Sequence, residues 1–180
     1  MTAIPKPEKI TAEEYYRLTE DIEDHTELIG GEIVAMAQPN RKHQRIGYRI
    51  HSIIDSFIRS NHGQCEVNGE IDVQLDDHNV VVPDVSVVCD PSKLDEHGCV
   101  GAPDWVVEVL STNRSRDLHT KLAMYQLAGV REYWIVDPKN EKTLVYFFEK
   151  NDLPDIYTFD TAIPVEIYDR KLEIRIRDLL

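Results

Sequence analysis

Asp84 and Glu108 are the residues of this 180-residue chain whose type and placement point most directly to chemistry. Asp84 interrupts the run Val80-Val81-Val82-Pro83-Asp84-Val85-Ser86-Val87-Val88, and Glu108 interrupts Trp105-Val106-Val107-Glu108-Val109-Leu110. Valine-rich runs of this kind read as strands buried on both faces. A carboxylate placed there loses hydration at a cost on the order of several kcal/mol, unless a cation or hydrogen-bond donors compensate. Alternation along a strand puts Val106, Glu108 and Leu110 on one face and Trp105, Val107 and Val109 on the other, while Asp84 shares a face with Val82 and Ser86. If the two strands are neighbours, both carboxylates point into one pocket. Two carboxylates, several waters and a substrate phosphate are a usual ligand set for Mg²⁺. Such an ion polarises a phosphoryl group and lowers the pKa of a bound water. The alternative keeps each acid as a solvated or arginine-paired residue at a strand end.

Lys121 adds a cation. Asp117, Lys121 and Tyr125 recur at i, i+4 and i+8 and so share one side of a helix. Lys121 can contact a phosphate, support an attacking hydroxide or stabilise transition-state charge. It can equally form a surface pair with Asp117, worth a few tenths of a kcal/mol, on the order of any exposed helical pair. Arg41, Lys42, Arg45, Arg49 and Arg59 meet only Asp55 among the acids of their segment. That stripe suits a phosphate backbone and suits the solvated face of an amphipathic helix just as well. His43, Arg45 and Tyr125 are the candidate substrate contacts, with a structural role for His43 left open. The other histidines show no metal-ligand spacing, and no phosphate-binding loop, dinucleotide glycine motif or nucleophile elbow is present.

The elements that must position these groups follow from capping and periodicity. Thr11 opens a short helix over residues 11–20. His25 to Ala37 reads as a hairpin pivoting on Gly30-Gly31. From Asn40 a helix follows, with Ile46, Ile50, Ile53, Ile54, Phe57 and Ile58 on one stripe, ending near Asn61-His62-Gly63. Gly69 to Leu75 alternates as a strand, and Asp76-Asp77-His78-Asn79 turns the chain antiparallel into the Asp84 strand. A loop with Pro91, Gly98, Gly101 and Pro103 leads to the Glu108 strand. A helix from Ser115 to Ala128 and a strand over Glu132–Val136 complete a right-handed crossover between parallel strands. Lys142–Phe148, Ile156–Asp160 and Val165–Asp169 read as additional short strands. The whole predicts one α/β domain over residues 1–180, a mixed sheet with helices packed on it.

Bulk properties bound the function. The net charge of −13 repels polyanions at long range, so any nucleic-acid role needs a local basic patch, metal ions in the site, or both. No apolar run approaches the roughly 20 residues that span a bilayer, and the N-terminus lacks a signal-peptide core. The three cysteines, Cys65, Cys89 and Cys99, are odd in number and form no C-x-x-C pair. Reduced thiols in a cytoplasmic protein are therefore expected, with Cys89 as plain core.

Pro83-Asp84, Glu108-Val109-Leu110-Ser111, Arg116-Asp117-Leu118 with Lys121 and Tyr125, and Glu132-Tyr133-Trp134-Ile135-Val136-Asp137-Pro138 together resemble the Uma-two-type endonuclease family. That family belongs to the PD-(D/E)XK, restriction-endonuclease-like superfamily. The resemblance covers most of the chain, with Glu27-Leu28-Ile29-Gly30-Gly31-Glu32 matching the N-terminal hairpin and His43 the following helix. It implies a restriction-endonuclease-like mixed β-sheet core flanked by helices, with Asp84 and Glu108 as ligands of Mg²⁺ or Mn²⁺ and Glu27 as a further catalytic-site acid. The superfamily's lysine lies two residues after the strand glutamate, where this chain has Leu110. The resemblance implies that Lys121 replaces it from the helix.

The leading expectation is thus a divalent-metal-dependent DNA endonuclease, acting as a homodimer without membrane attachment. Asp84 and Glu108 hold the metal, joined by the Val109 carbonyl, and Lys121 assists the attacking water. A second expectation is a nuclease-fold module that binds nucleic acid or protein without cutting. A third is a metal-independent hydrolase using Asp84 and Glu108 as an acid–base pair.

Overall fold

The computed structural model describes residues 9–22, 25–111, 117–150 and 153–180. Helix α1, Ala12–Thr19, starts where Thr11 and Glu14 form a reciprocal capping box. Strands β1, Thr26–Ile29, and β2, Glu32–Ala35, pair across Gly30 and Gly31. Both glycines have positive φ, 60° and 84°, the two-residue hairpin geometry that other residues adopt only under strain. Helix α2, Arg41–Ser60, begins at Asn40, whose side chain accepts from the Lys42 and His43 amides at 3.0 Å each. The remaining elements, in order, are β3 (Glu66–Asn68), β4 (Asp72–Asp76), β5 (Asn79–Val81), β6 (Val85–Val88), β7 (Gly98–Val100) and β8 (Trp105–Val109). Then come α3 (Asp117–Ala128), β9 (Glu132–Asp137), β10 (Lys142–Phe147), β11 (Asp155–Thr158), β12 (Ala162–Pro164) and β13 (Glu173–Arg175). Ser115 and Arg116 lie outside the described residues, as does the side chain of Asp117.

The strands form two principal sheets. One has the order β2-β1-β5-β4-β7, the other β11-β10-β9-β8-β6-β3, and β12 and β13 make a separate ribbon. As the crossover predicts, β8 and β9 are parallel, with Trp105 beside Glu132 and Val109 beside Val136. On one face of the six-stranded sheet, α2 lays Ile46, Ile50, Ile54 and Ile58 against Val85, Val87, Trp105, Val107, Trp134 and Val136. Each such buried isoleucine contributes roughly 1.5–3 kcal/mol. On the other face α3 contributes Tyr125 to a cluster with Val106, Tyr133 and Ile135 that also takes in Val73 and Val81 of the first sheet. The two sheets therefore meet around α3. Among the described residues no helix is long and apolar enough to cross a membrane.

Four expectations are corrected. The valine run 80–88 is two strands, β5 and β6, in different sheets. Pro83 has no amide to donate and holds its predecessor out of the ladder, while the Val82 amide goes to the Glu27 carboxylate at 2.9 Å. The loop before β8 contains β7, parallel to β4. Residues 165–169 hold a 3₁₀ turn over Glu166–Tyr168 in place of a strand, and the pairing falls to β12 and β13. Finally, Cys65 and Cys89 are joined as a disulfide, leaving Cys99 as the free, buried thiol. Antiparallel β3–β6 register sets Glu66 opposite Val88 and so brings the flanking cysteines face to face. The cysteine-based argument for a reducing compartment falls with it.

Candidate active site

Lys121 projects from α3 into the seam between the two sheets. Its ammonium donates to Glu27 Oε1 on β1 at 2.6 Å and to Glu108 Oε1 on β8 at 3.0 Å. Tyr125, one turn further along α3, donates to the same Glu108 oxygen at 2.9 Å. Glu27, Glu108, Lys121 and Tyr125 are all buried. Burial alone would depress the Lys121 pKa, but Glu108 and Glu27 more than reverse this, so it is held above the ordinary lysine range and stays charged. Burial, reinforced by the Glu108 charge, pushes the Tyr125 phenol well above its usual value and keeps it a neutral donor. One cation thus balances two carboxylates drawn from different sheets.

Asp84 is placed by the bend after Pro83 at the head of β6. Its Oδ2 accepts from the Val109 amide at 2.6 Å, so its carboxylate sits at the residue immediately following Glu108. His43 Nε2 of α2 lies 3.1 Å from the same oxygen. That approach is close enough for an ion pair, yet neither buried ring nitrogen of His43 makes a directed hydrogen bond. We read it as proximity and not as a formed bond. Asp84 and His43 open onto a cleft of about 360 Å³ whose wall also includes His25, Met36, Gln38 and Gln44. Asp84 and Glu108 therefore meet at consecutive residues of β8 but engage different helices, Asp84 with α2 and Glu108 with α3, and the cleft is lined by Asp84 and not by Glu108 or Lys121.

Among the described residues no three His, Cys, Asp or Glu side chains converge as a metal-binding group. The donor chemistry nevertheless fits a divalent cation at Asp84. Orphaned buried nitrogens are rare and call for a partner; the Asp84 carboxylate is the oxygen donor that Mg²⁺ or Mn²⁺ takes, and the imidazole suits the softer divalent ions.

One candidate substrate contact is corrected, and another stands outside the cleft. Tyr125 has no exposed surface and cannot touch a substrate; it serves Glu108. Arg45 is exposed on the other flank of α2, with Arg41 and Lys42, and does not line the cleft. Leu110 packs against the apolar cluster around Tyr125, as an aliphatic residue on the Glu108 face must. The cleft residues Gln38 and Gln44 escaped sequence reasoning. The signal was present: a segment leading from the hairpin into the cap of α2 has to line whatever His43 faces. Glu132 escaped as well. It is fully buried at the start of β9, accepting from Trp134 Nε1 at 2.7 Å and from the Ile167 amide at 2.9 Å.

Comparison with known proteins identifies the family and the fold. Residues 12–172 match the sequence profile of Uma2, described as "Putative restriction endonuclease". A protein of Synechocystis sp. described only as uncharacterized is 29% identical over 148 residues, covering 80% of this chain and 76% of its own length. A second uncharacterized Synechocystis protein is 25% identical over 144 residues, covering 76% of this chain and 80% of its own. Among solved structures, a "putative nuclease" from Anabaena variabilis superposes with a TM-score of 0.79 at 26% identity, covering 94% of this chain and 97% of that one. The mixed α/β architecture described above is accordingly the restriction-endonuclease-like one.

Proposed function

Because the chain belongs to the Uma2 family of restriction-endonuclease-like proteins, we propose that it hydrolyses phosphodiester bonds in DNA with a divalent cation, Mg²⁺ or Mn²⁺. Asp84 and Glu108 are the residues that would hold the ion, with His43 at hand beside Asp84. When bound, the ion supplies Lewis-acid polarisation of the phosphoryl group and a more acidic water. The protein's own groups do the rest. The Val109 amide fixes the Asp84 carboxylate, and Tyr125 fixes Glu108. Glu27 holds Lys121 against Glu108, keeping a positive charge where negative charge develops on the phosphate and where an attacking water has to be oriented. The observation that carries this reading is the clasp of Lys121 between Glu27 and Glu108, one residue from the amide that Asp84 caps.

Nicking of supercoiled plasmid is the test. With Mg²⁺ or Mn²⁺ the protein converts the plasmid to open circle, and EDTA stops it. Asp84→Ala and Glu108→Ala abolish nicking, and Lys121→Ala lowers its rate roughly 10²- to 10³-fold. Nicking that survives Asp84→Ala, or none under any divalent ion, overturns the reading. A second reading, a nuclease-fold module that binds without cutting, draws support from Leu110 at the usual lysine position and from the double ion pair already engaging Lys121. Tight DNA binding with no nicking selects it. A homodimer would give each strand of a duplex its own site, and sedimentation at working concentration reads that state directly.

A further inference from the structure

Four exposed cations crowd the first turns of α2: Arg41, Lys42, Arg45 and Arg49. Spacing of i, i+4 and i+8 puts the three arginines on one stripe, with Lys42 beside it. No acid lies in the first turn, and the acid further along, Asp55, pairs with Arg59. The placement is unfavourable for stability. A helix N-terminus carries partial positive charge, and a cation in its first turn is disfavoured by roughly as much as an anion is favoured. The chain has 33 acidic residues against 20 basic ones, so carboxylate partners are abundant. Elsewhere the arginines take them: Arg131, Arg170 and Arg177 each hold carboxylates within 3.3 Å. Among the described residues, Arg41 and Arg45 hold no hydrogen-bond or ion-pair partner. Lys42 donates to the Pro138 carbonyl at 3.3 Å and lies in the field of Glu141, and Arg49 donates to the Leu180 oxygen at 3.4 Å. Arg41, Lys42, Arg45 and Leu180 frame a hollow of about 280 Å³. The helix end itself is not what is on offer, since Asn40 already occupies the Lys42 and His43 amides.

We propose that this hollow is a phosphate-binding site for a nucleic-acid backbone, separate from the cleft at Asp84. The inference rests on the reading of DNA as substrate, though not on cutting. Arg41 and Arg45 stand two residues either side of His43, round the helix from it. A backbone held at the hollow therefore runs within a helix diameter, about 10 Å, of the cleft wall. The site answers the difficulty posed by the net charge of −13: a repelled polyanion is captured by a local cluster in which, among the described residues, Arg41 and Arg45 pair with no carboxylate.

Fluorescence anisotropy of a labelled duplex with the full chain in EDTA, at stepped salt concentrations, tests it. Arg41→Glu/Arg45→Glu weakens binding about tenfold and lowers the slope of log affinity against log salt by roughly two, as expected for two lost phosphate contacts. Lys9→Glu/Arg17→Glu, with the same change in net charge, weakens it less than about threefold. Arg41→Ala/Arg45→Ala moves affinity in the same direction by a smaller factor, and unchanged circular dichroism melts certify folding. Equal weakening by both charge-reversed variants, wild-type affinity in Arg41→Glu/Arg45→Glu, or no duplex binding by the unaltered protein each overturns the proposal. Binding lost in that variant by a protein that never nicks DNA removes the nuclease reading and leaves the hollow standing. Nicking by the unaltered protein with unchanged affinity in the variant does the reverse.

Discussion

Adjacent strands of one sheet each bury a glutamate and treat it in opposite ways. Glu108 on β8 faces a charged partner, the Lys121 ammonium, with Tyr125 as a second donor. Among the described residues, Glu132 on β9 has neutral donors, the Trp134 indole and the backbone amides of Ile167 and Glu166, and no cation. Burial accordingly pushes the Glu132 pKa up to about 7, partly offset by those donors. A carboxylate that must stay ionised out of water imports a counter-charge. One that only staples a strand to the C-terminal segment can be held half-protonated by dipoles.

That contrast can be broken experimentally. Lys121→Met strands two buried carboxylates, and a loss of about 3–5 kcal/mol in urea-denaturation stability is expected at neutral pH. A loss no larger than that of an exposed lysine would erase the distinction. Glu132 is expected to show itself in pH dependence. Its folded pKa of about 7 lies above the ordinary 4.5, so the native state retains a proton that the unfolded chain has released between those values. Its contribution is fully present below about pH 4.5 and is lost as pH rises to about 7, a fall of about 3 kcal/mol. Glu132→Gln flattens stability across that window, and a slope that persists assigns it elsewhere. Tyr125→Phe is the mildest change. It removes one hydrogen bond to a charged, buried oxygen, at a cost of roughly 1–3 kcal/mol, while its ring keeps the packing against Tyr133 at 4.9 Å.

Much of this was legible in the residues. Strand alternation separates Glu108 and Leu110 from Trp105, Val107 and Val109, and the clusters divide that way, the former toward α3 and the latter toward α2. The β8–α3–β9 unit was legible because its signals are local: a valine run, helical spacing, and Gly129 at φ 95° closing the helix. What stayed hidden depends on partners far along the chain. Periodicity cannot see that Glu27 takes the Val82 amide, so the break at Pro83 was read through as one strand. The Cys65–Cys89 pairing depends on register, which a separation of 24 residues does not reveal. Glu132, next to Arg131, reads as a solvated strand end. Its burial comes from the turn at Glu166–Tyr168, which closes over it from the C-terminal segment.

The sequence separation of 94 between Glu27 and Lys121 has a consequence for how the site is held. The β8–α3–β9 unit closes through near neighbours in sequence and can form early. Lys121 gains its second carboxylate only when the N-terminal hairpin docks, and closing a long loop precedes any reward from that contact. The candidate site is thus held by a contact of long sequence separation, and loosening the hairpin would disarm Lys121 without touching α3.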